Sequence, residues 1–478
     1  MTRKLIRGGF VVSGDAKIGD VPSADVLIED DKIVSIAPAI DVNDAETIDA
    51  RNRIVMPGFV DSHRHVWQGA LRSVCADGSL VDYVRMIRMH AARFFTADDM
   101  YAVQLHGALE ALDSGVTSVT DYCHNLLTPD HAFEAVRGLR ESGLRVIWNY
   151  GFNYPPQDAP HFRTLEDRIC FARELAVAEF SQHEALVTLG VAPEETNFAG
   201  SPERLAAQFE LARELDARVF WHANSGGVGG PAQRDVAAIA SLGALGPDVT
   251  LVHMHDTDDE EWRMVADAGA AVAFTPETEL QMGMMWPSTR KCDDLDIPFG
   301  IGTDITSNNS ADMFAATRIG LQALRCHYID SGEPGALPLG TPISCADAFS
   351  WATTGGARAL GLDERIGSLT PGKQADIVLL RTDSLGMAGW DRHHPTRTIV
   401  LQARPSDVDT VLVGGRIAKR DGRLVADVNR ACALLEEASE RVHSRIAEHG
   451  GFEVPLDETL GRMQAVSQSE DGHYSFSG

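Results

Sequence analysis

Between residues 57 and 304 the sequence repeats one pattern eight times: a short apolar run bounded by polar or turn residues, most often preceded by an amphipathic stretch. The runs are PGFVDSH (57–63), GVTSVTDY (115–122), RVIWNYG (145–151), LVTLGVAP (186–193), RVFWHAN (218–224), VTLVHMH (249–255), AAVAFTP (270–276) and FGIGTD (299–304). SPERLAAQFELARELDA (201–217) typifies the helical segments between them. Eight βα units spread over about 250 residues predict a (β/α)8 barrel. A doubly wound sheet is the rival arrangement, but no glycine-rich dinucleotide turn accompanies these strands.

The flanks read differently. LIRGGFVV, ADVLIED, KIVSIAP and RNRIVMP, within the first 57 residues, alternate apolar and polar positions and are punctuated by Gly and Asp, which predicts a small antiparallel β unit. IGSLTPGKQADIVLL (366–380) and VDTVLVGGRIAKRDGRLV (408–425) have the same character. Together they predict a discontinuous β-sandwich domain that brackets the barrel: 1–56 and 366–426 for the β domain, 57–365 for the barrel, and 427–478 for a C-terminal helix and tail. Within that last segment, 427–450 is amphipathic, and VSQSEDGHYSFSG (466–478) reads as a weakly ordered tail.

A net charge of −27 repels phosphate backbones and anionic membrane surfaces, which argues against nucleic-acid or lipid-surface partners. The N-terminus lacks the apolar core of a signal peptide, and no stretch approaches the roughly 18 apolar residues of a membrane span. The seven cysteines are scattered and never in C-x-x-C, as expected of reduced thiols in a cytoplasmic protein.

In a (β/α)8 barrel the chemistry collects at the C-terminal ends of the strands. Those positions hold His63 and His65, Asp121 and His124, Glu194, His222, His253 and His255, Glu277 and Glu279, and Asp304. His63 and His65 are two apart on one strand, so both point to one side while Arg64 points away. With His222 and Asp304 they would supply three imidazole nitrogens and a carboxylate oxygen, a set suited to zinc, or to iron or cobalt, better than to magnesium or calcium. A metal so held turns water into a hydroxide nucleophile near neutral pH. Asp304 can take the water's proton and pass it on. His253 is placed to orient the nucleophile, with His255 the more structural of that pair. Asp61 fixes a strand end, and Asp121 and His124 either cap a loop or contact substrate. Trp67 and Gln68 open a long insertion (66–100) after the first barrel strand, where a substrate lid belongs, although a Met/aromatic set such as Trp67, Met86 and Met89 is also what a core contains.

PGFVDSHRH, the histidine of FWHAN, LVHMHDTDDEE, GTDITSNNSADMF and the closing GSLTPGKQADIVLL together resemble the amidohydrolase superfamily, in its cytosine-deaminase-like branch of chlorohydrolases and S-adenosylhomocysteine and 8-oxoguanine deaminases. The resemblance covers most of the chain. It implies one metal on His63, His65, His222 and Asp304, with His253 contacting water or substrate. Two departures stand out. The deaminases place a glutamate three residues after the strand-5 histidine, where this chain has Ser225, and their C-P-x-S-N after strand 7 is TPETELQMG here. If strand geometry continues, Glu277 and Glu279 project to one side, and one of them, Glu279 by preference, takes over the acid role.

The expected protein is therefore a metal hydrolase attacking an sp2 carbon with metal-bound hydroxide and cleaving a C–N bond of a small heterocyclic or amide-like compound. Trp67, Gln68, His124, Glu194 and His255 would contact the substrate, and the subunits would form a homodimer or larger homo-oligomer. The alternatives are hydrolysis of a urea, carbamate, thiocarbamate, lactone or ester, or a non-catalytic barrel scaffold.

Overall fold

The computed structural model describes residues 2–152, 161–182, 185–196, 201–225, 234–284, 286–330 and 339–455. The tail expected at 466–478 lies outside them. β1 (Arg3–Val12), β2 (Asp20–Glu29) and β3 (Lys32–Ala37) form an antiparallel meander, whereas β4 (Glu46–Asp49) and β5 (Arg53–Pro57) lie parallel to β1. The N-terminal unit is thus mixed rather than antiparallel. Alternation reveals strands but not direction, and residues 38–45 carry the chain back to the starting end of β1 before β4 begins. Asp25 steadies that return by accepting from the amides of Gly8 (2.9 Å) and Ile40 (3.0 Å).

The next eight strands form one parallel sheet in chain order: β6 (Phe59–Arg64), β7 (Val116–Cys123), β8 (Arg145–Gly151), β9 (Val187–Ala192), β10 (Arg218–Ala223), β11 (Val249–His253), β12 (Ala271–Phe274) and β13 (Phe299–Ile301). β7 and β8 are buried along their whole length, as strands covered on both faces must be. The helices between them begin at legible caps. Thr96 and Asp99 form a capping box before Ala97–Asp113, and Ser201 caps Pro202–Glu214, a helix predicted at 201–217.

The sheet closes between β6 and the residues following β13. The amide of His65 donates to Asp304 O (2.7 Å) and that of Asp304 to His63 O (2.9 Å). Gly302 makes this approach possible, because a Cβ there would lie 2.4 Å from the carbonyl oxygen of His63. Inside the barrel, Val60, Tyr122, Ile147, Ala192 and Phe220 cluster with Ala357, Leu360 and Ile366. The segment carrying the last three plugs the N-terminal ends of the strands, where Val60 N–H donates to Ala352 O and Thr250 Oγ1 to Ala359 O.

β14 (Ile377–Arg381), β15 (Val408–Val413), β16 (Arg416–Arg420) and β17 (Arg423–Leu424) then extend the first sheet, with β14 antiparallel to β5. The N- and C-terminal segments therefore share one mixed sheet, separate from the barrel. A buried ion pair ties the two together: Arg145 at the start of β8 donates twice to Asp376 (2.8 and 3.0 Å), which also accepts from Gly414 N–H (2.7 Å). Asp376→Ala would leave the Arg145 charge buried without its partner, so it is expected to cost roughly 3–5 kcal/mol. The first transition in urea unfolding should fall accordingly.

The 66–100 insertion is a series of short helical turns (Val66–Leu71, Leu80–Tyr83, Val84–Arg88, Ala91–Phe94) at the C-terminal face of the barrel. The terminal helix Val428–Glu448 lies across it. Ser439 Oγ donates to Ala70 O (2.9 Å), Arg445 to Phe94 O (2.7 Å), and Arg441 and Arg445 both pair with Asp99. Among the described residues no helix is long and apolar enough to cross a membrane.

Candidate metal centre

Three strands and the seam bring His63, His65, His222 and Asp304 together at the barrel mouth. His63 leaves β6 inward, while Arg64 turns out to Glu110 (2.8 Å) on the neighbouring helix, as the period of a strand requires. Asp304 follows β13 with φ 64°, a left-handed conformation that costs on the order of 1–3 kcal/mol outside glycine and is held here by the seam hydrogen bonds. Asp61 organises the same seam: its carboxylate accepts from Thr303 N–H (3.0 Å) and Thr303 Oγ1 (2.6 Å), and burial raises its pKa to about 6. That is the strand-fixing role expected of it. Asp121 accepts from Val66 N–H and Gln104 Nε2 and so anchors the base of the insertion.

The nitrogens and oxygen of this group face one another. His63 Nε2 lies 3.5 Å from Asp304 Oδ1 and 3.3 Å from His222 Nε2, and His65 Nε2 lies 3.6 Å from Asp304 Oδ1. Tautomers follow from the outer partners. His65 Nδ1 sits 2.8 Å from Tyr122 O, which can only accept, so Nδ1 carries the hydrogen and Nε2 is bare. His222 Nδ1 is 2.7 Å from Glu195 Oε1, which fixes its Nε2 in the same way. Burial lowers the pKa of His63 and His65 and takes that of His222 to about 4, only partly offset by the nearby carboxylates, so all three rings are neutral near pH 7. Asp304 is held far below the usual carboxylate range by the surrounding histidines despite its burial. The result is a buried cluster in which the Nε2 lone pairs of His65 and His222 and the Asp304 carboxylate face inward beside His63 Nε2. The three separations match the edges of a tetrahedron of 2.0–2.2 Å bonds, about 3.3–3.6 Å. These residues fit a divalent transition metal.

His253 stands beside the cluster, its ring 5.7 Å from that of His63 and 5.4 Å from that of His222. Its Nδ1 is 3.2 Å from Glu279 Oε1 and from Thr275 Oγ1, which leaves Nε2 as the free ring nitrogen. The expectation that Glu277 and Glu279 share a direction is overturned. Pro276 starts a helix, Pro276–Gln281, in which residues two apart diverge. Glu279 is fully buried behind His253 and His255, and its Oε1 accepts from Thr275 N–H (2.8 Å) and lies 3.5 Å from His255 Nε2. Burial opposes its charge, yet the two histidines hold its pKa at about 2. Glu277 turns instead to Ser310 Oγ (3.0 Å).

The expectation for Glu194 is overturned as well. Its carboxylate is occupied by Arg204 (2.8 Å twice) and Gln208 (2.7 Å) on the following helix. The next residue, Glu195, faces His222 and is paired with Arg88 of the insertion (2.8 and 3.0 Å). The pair of glutamates after the fourth barrel strand was the available signal, since adjacent side chains there cannot both face inward. Gln68 is also not free to face a substrate: Nε2 donates to Tyr83 OH (2.6 Å) and Oε1 accepts from Ser307 Oγ (2.8 Å). Trp67 donates its indole N–H to His124 Nδ1 (3.0 Å). His124 in turn lies against His65, with ring centroids 4.4 Å apart.

A cluster of histidines and an aspartate that could hold a metal ion, at the mouth of a (β/α)8 barrel, is the arrangement a metal-dependent hydrolase needs. Residues 54–418 match the amidohydrolase family, and the chain belongs to it. It is 28% identical over 435 residues to the 5'-deoxyadenosine deaminase of Methanothermobacter thermautotrophicus (88% of this chain, 95% of that protein). It is likewise 28% identical over 453 residues to the 5-methylthioadenosine/S-adenosylhomocysteine deaminase of Symbiobacterium thermophilum (91% and 99%). Among solved structures, the fold is similar to an adenosine deaminase from Xanthomonas campestris with bound zinc (TM-score 0.79, 23% identity, 93% and 99% covered). It is also similar to a mutant of the atrazine chlorohydrolase of Arthrobacter aurescens complexed with zinc and atraton (TM-score 0.78, 24% identity, 91% and 99% covered). The protein is a metal-dependent hydrolase acting on carbon–nitrogen bonds.

Proposed function

We propose that this protein uses one zinc ion, held by His63, His65, His222 and Asp304, to release ammonia from the exocyclic amino group of a small heterocycle, with a purine nucleoside as the first class to test. The observation that carries the reading is the buried approach of His63 and His65 Nε2 to the Asp304 carboxylate, with His222 Nε2 against His63 Nε2. The deaminase names of the relatives support the choice of substrate class. A divalent ion bound there lowers the pKa of a coordinated water to about 7 and so supplies a nucleophile at neutral pH. Asp304 has a second task, because its Oδ2 accepts from Thr275 Oγ1 (3.3 Å) and is the base nearest the reacting centre. It takes a proton from water as oxygen adds to the ring carbon and delivers it to the departing nitrogen. His253, oriented through Nδ1 by Glu279 and Thr275, presents Nε2 to the addition intermediate.

Glu195 is the outer support of the centre. Carboxylates behind ligating histidines fix tautomer and ring orientation, and losing one typically costs 10–100-fold in metal affinity. Glu195→Gln is expected to weaken zinc binding by about that factor in a competition with a chromophoric chelator.

A second reading is favoured by one observation: no carboxyl group occupies position 225, which is serine. Cleavage of the C–N bond of a urea, carbamate or thiocarbamate needs no ring-nitrogen protonation. The test is a screen of zinc-reconstituted protein against amino-heterocycles, beginning with 5'-deoxyadenosine and adenosine, beside ureas, carbamates and esters, scoring ammonia against amine or alcohol. Ammonia release from the heterocycles supports the deaminase reading. Amine or alcohol release alone overturns it in favour of the second.

A further inference from the structure

The pair Trp67–His124 carries more than the packing of its rings. An indole N–H can only donate. The Trp67 Nε1 to His124 Nδ1 contact (3.0 Å) therefore requires a bare Nδ1 and, in a neutral ring, a hydrogen on Nε2. Trp67 is 1% exposed and His124 7%, and His124 Nε2 has no hydrogen-bond partner among the described residues. The ring lies 4.4 Å from that of His65, centroid to centroid, at the edge of the metal cluster. A buried donor left unmade costs free energy comparable to a lost hydrogen bond, and this one lies beside the candidate metal centre, where a bound ligand's acceptor could complete it.

We infer that Trp67 locks His124 in the Nε2–H tautomer, and that this N–H is a specificity-determining donor that recognises a hydrogen-bond acceptor on the substrate beside the carbon under attack, such as an unprotonated ring nitrogen or a carbonyl oxygen. The inference rests on the proposed metal centre and narrows the substrate class. A compound presenting an N–H or C–H at that position leaves the donor unpaired, with an expected loss of roughly 5- to 150-fold in kcat/KM. Trp67 is a positioning residue acting through His124, since its own N–H is already used.

The test uses the zinc-loaded full chain labelled with 15N-histidine. Long-range 1H–15N spectra report which ring nitrogen carries the hydrogen, and the signals of residue 124 are assigned by their loss in His124→Gln. The expected result is a bare Nδ1 and a protonated Nε2 in the wild type, changing to a mixture of tautomers in Trp67→Phe, which keeps an aromatic ring and the metal content but removes the donor. A protonated Nδ1 in the wild type, or an unchanged spectrum in Trp67→Phe, overturns the lock. Rates with adenosine and its 3-deaza and 7-deaza counterparts test recognition. One deaza penalty present in the wild type and absent in His124→Phe, which has no donor, supports it, and penalties that persist in His124→Phe overturn it. If no nucleoside is hydrolysed while the tautomer results hold, the amino-heterocycle reading fails and the lock stands.

Discussion

Protein carrying His65→Ala or Asp304→Ala is expected to purify folded but without stoichiometric zinc and without hydrolase activity. Each substitution removes one of the four atoms that converge at the barrel mouth. His65 is the ligand whose lone pair is aimed by Tyr122 O, and Asp304 contributes the only charge among the four. Losing one of four ligands removes part of the binding free energy, and Asp304→Ala also removes the anion that balances part of the ion's charge. Metal content by mass spectrometry and far-UV circular dichroism on the same sample separate loss of the ion from loss of the fold. Full activity of the wild type after exhaustive chelation, with no detectable metal, would sink the assignment.

The second large effect concerns Glu279. Its carboxylate accepts from Thr275 N–H and meets His253 and His255 at 3.2 and 3.5 Å. Glu279→Gln keeps the shape and an oxygen that accepts from Thr275 N–H and His253 Nδ1–H, but removes the carboxylate charge between His253 and His255. His253 then loses its counter-charge, and a correctly protonated, positioned group is worth about 10²–10⁴ in rate. A loss in kcat of that size with zinc retained is expected. Glu277→Gln, at a residue turned away to Ser310, should change kcat by less than about twofold and serves as the control. Equal, small effects in both variants would show that Glu279 is only packing.

What was legible in the sequence follows from how far apart the interacting residues are. The eight barrel strands are legible because each is a locally apolar run, and the polar residues at the mouth because strand ends are where a barrel places its chemistry. His63, His65 and Asp304 come within reach of one another there, as do His63, His222 and His253. The direction of Glu277 and Glu279 was misread because strand period was carried past Thr275, although the Pro-Glu dipeptide that follows is a helix start. Nothing local tells which of two adjacent glutamates faces inward; Arg204 and Gln208, ten and fourteen residues on, occupy Glu194 and leave Glu195 to His222. Arg88 and Thr275 were missed for the same reason, since their partners come from other strands. The parallel placement of β4 and β5 against β1 was likewise invisible to alternation alone.

The seam between β6 and the turn after β13 has a consequence for how the barrel is held shut. The first and last strands meet there through the amides of His65 and Asp304, whose side chains also face one another in the candidate centre. Two residues some 240 positions apart along the chain thus serve both the closure of the cylinder and that centre. A metal held by them would act as a clamp on the joint, so amide exchange at His65 and Asp304 is expected to be slower with zinc added than after chelation.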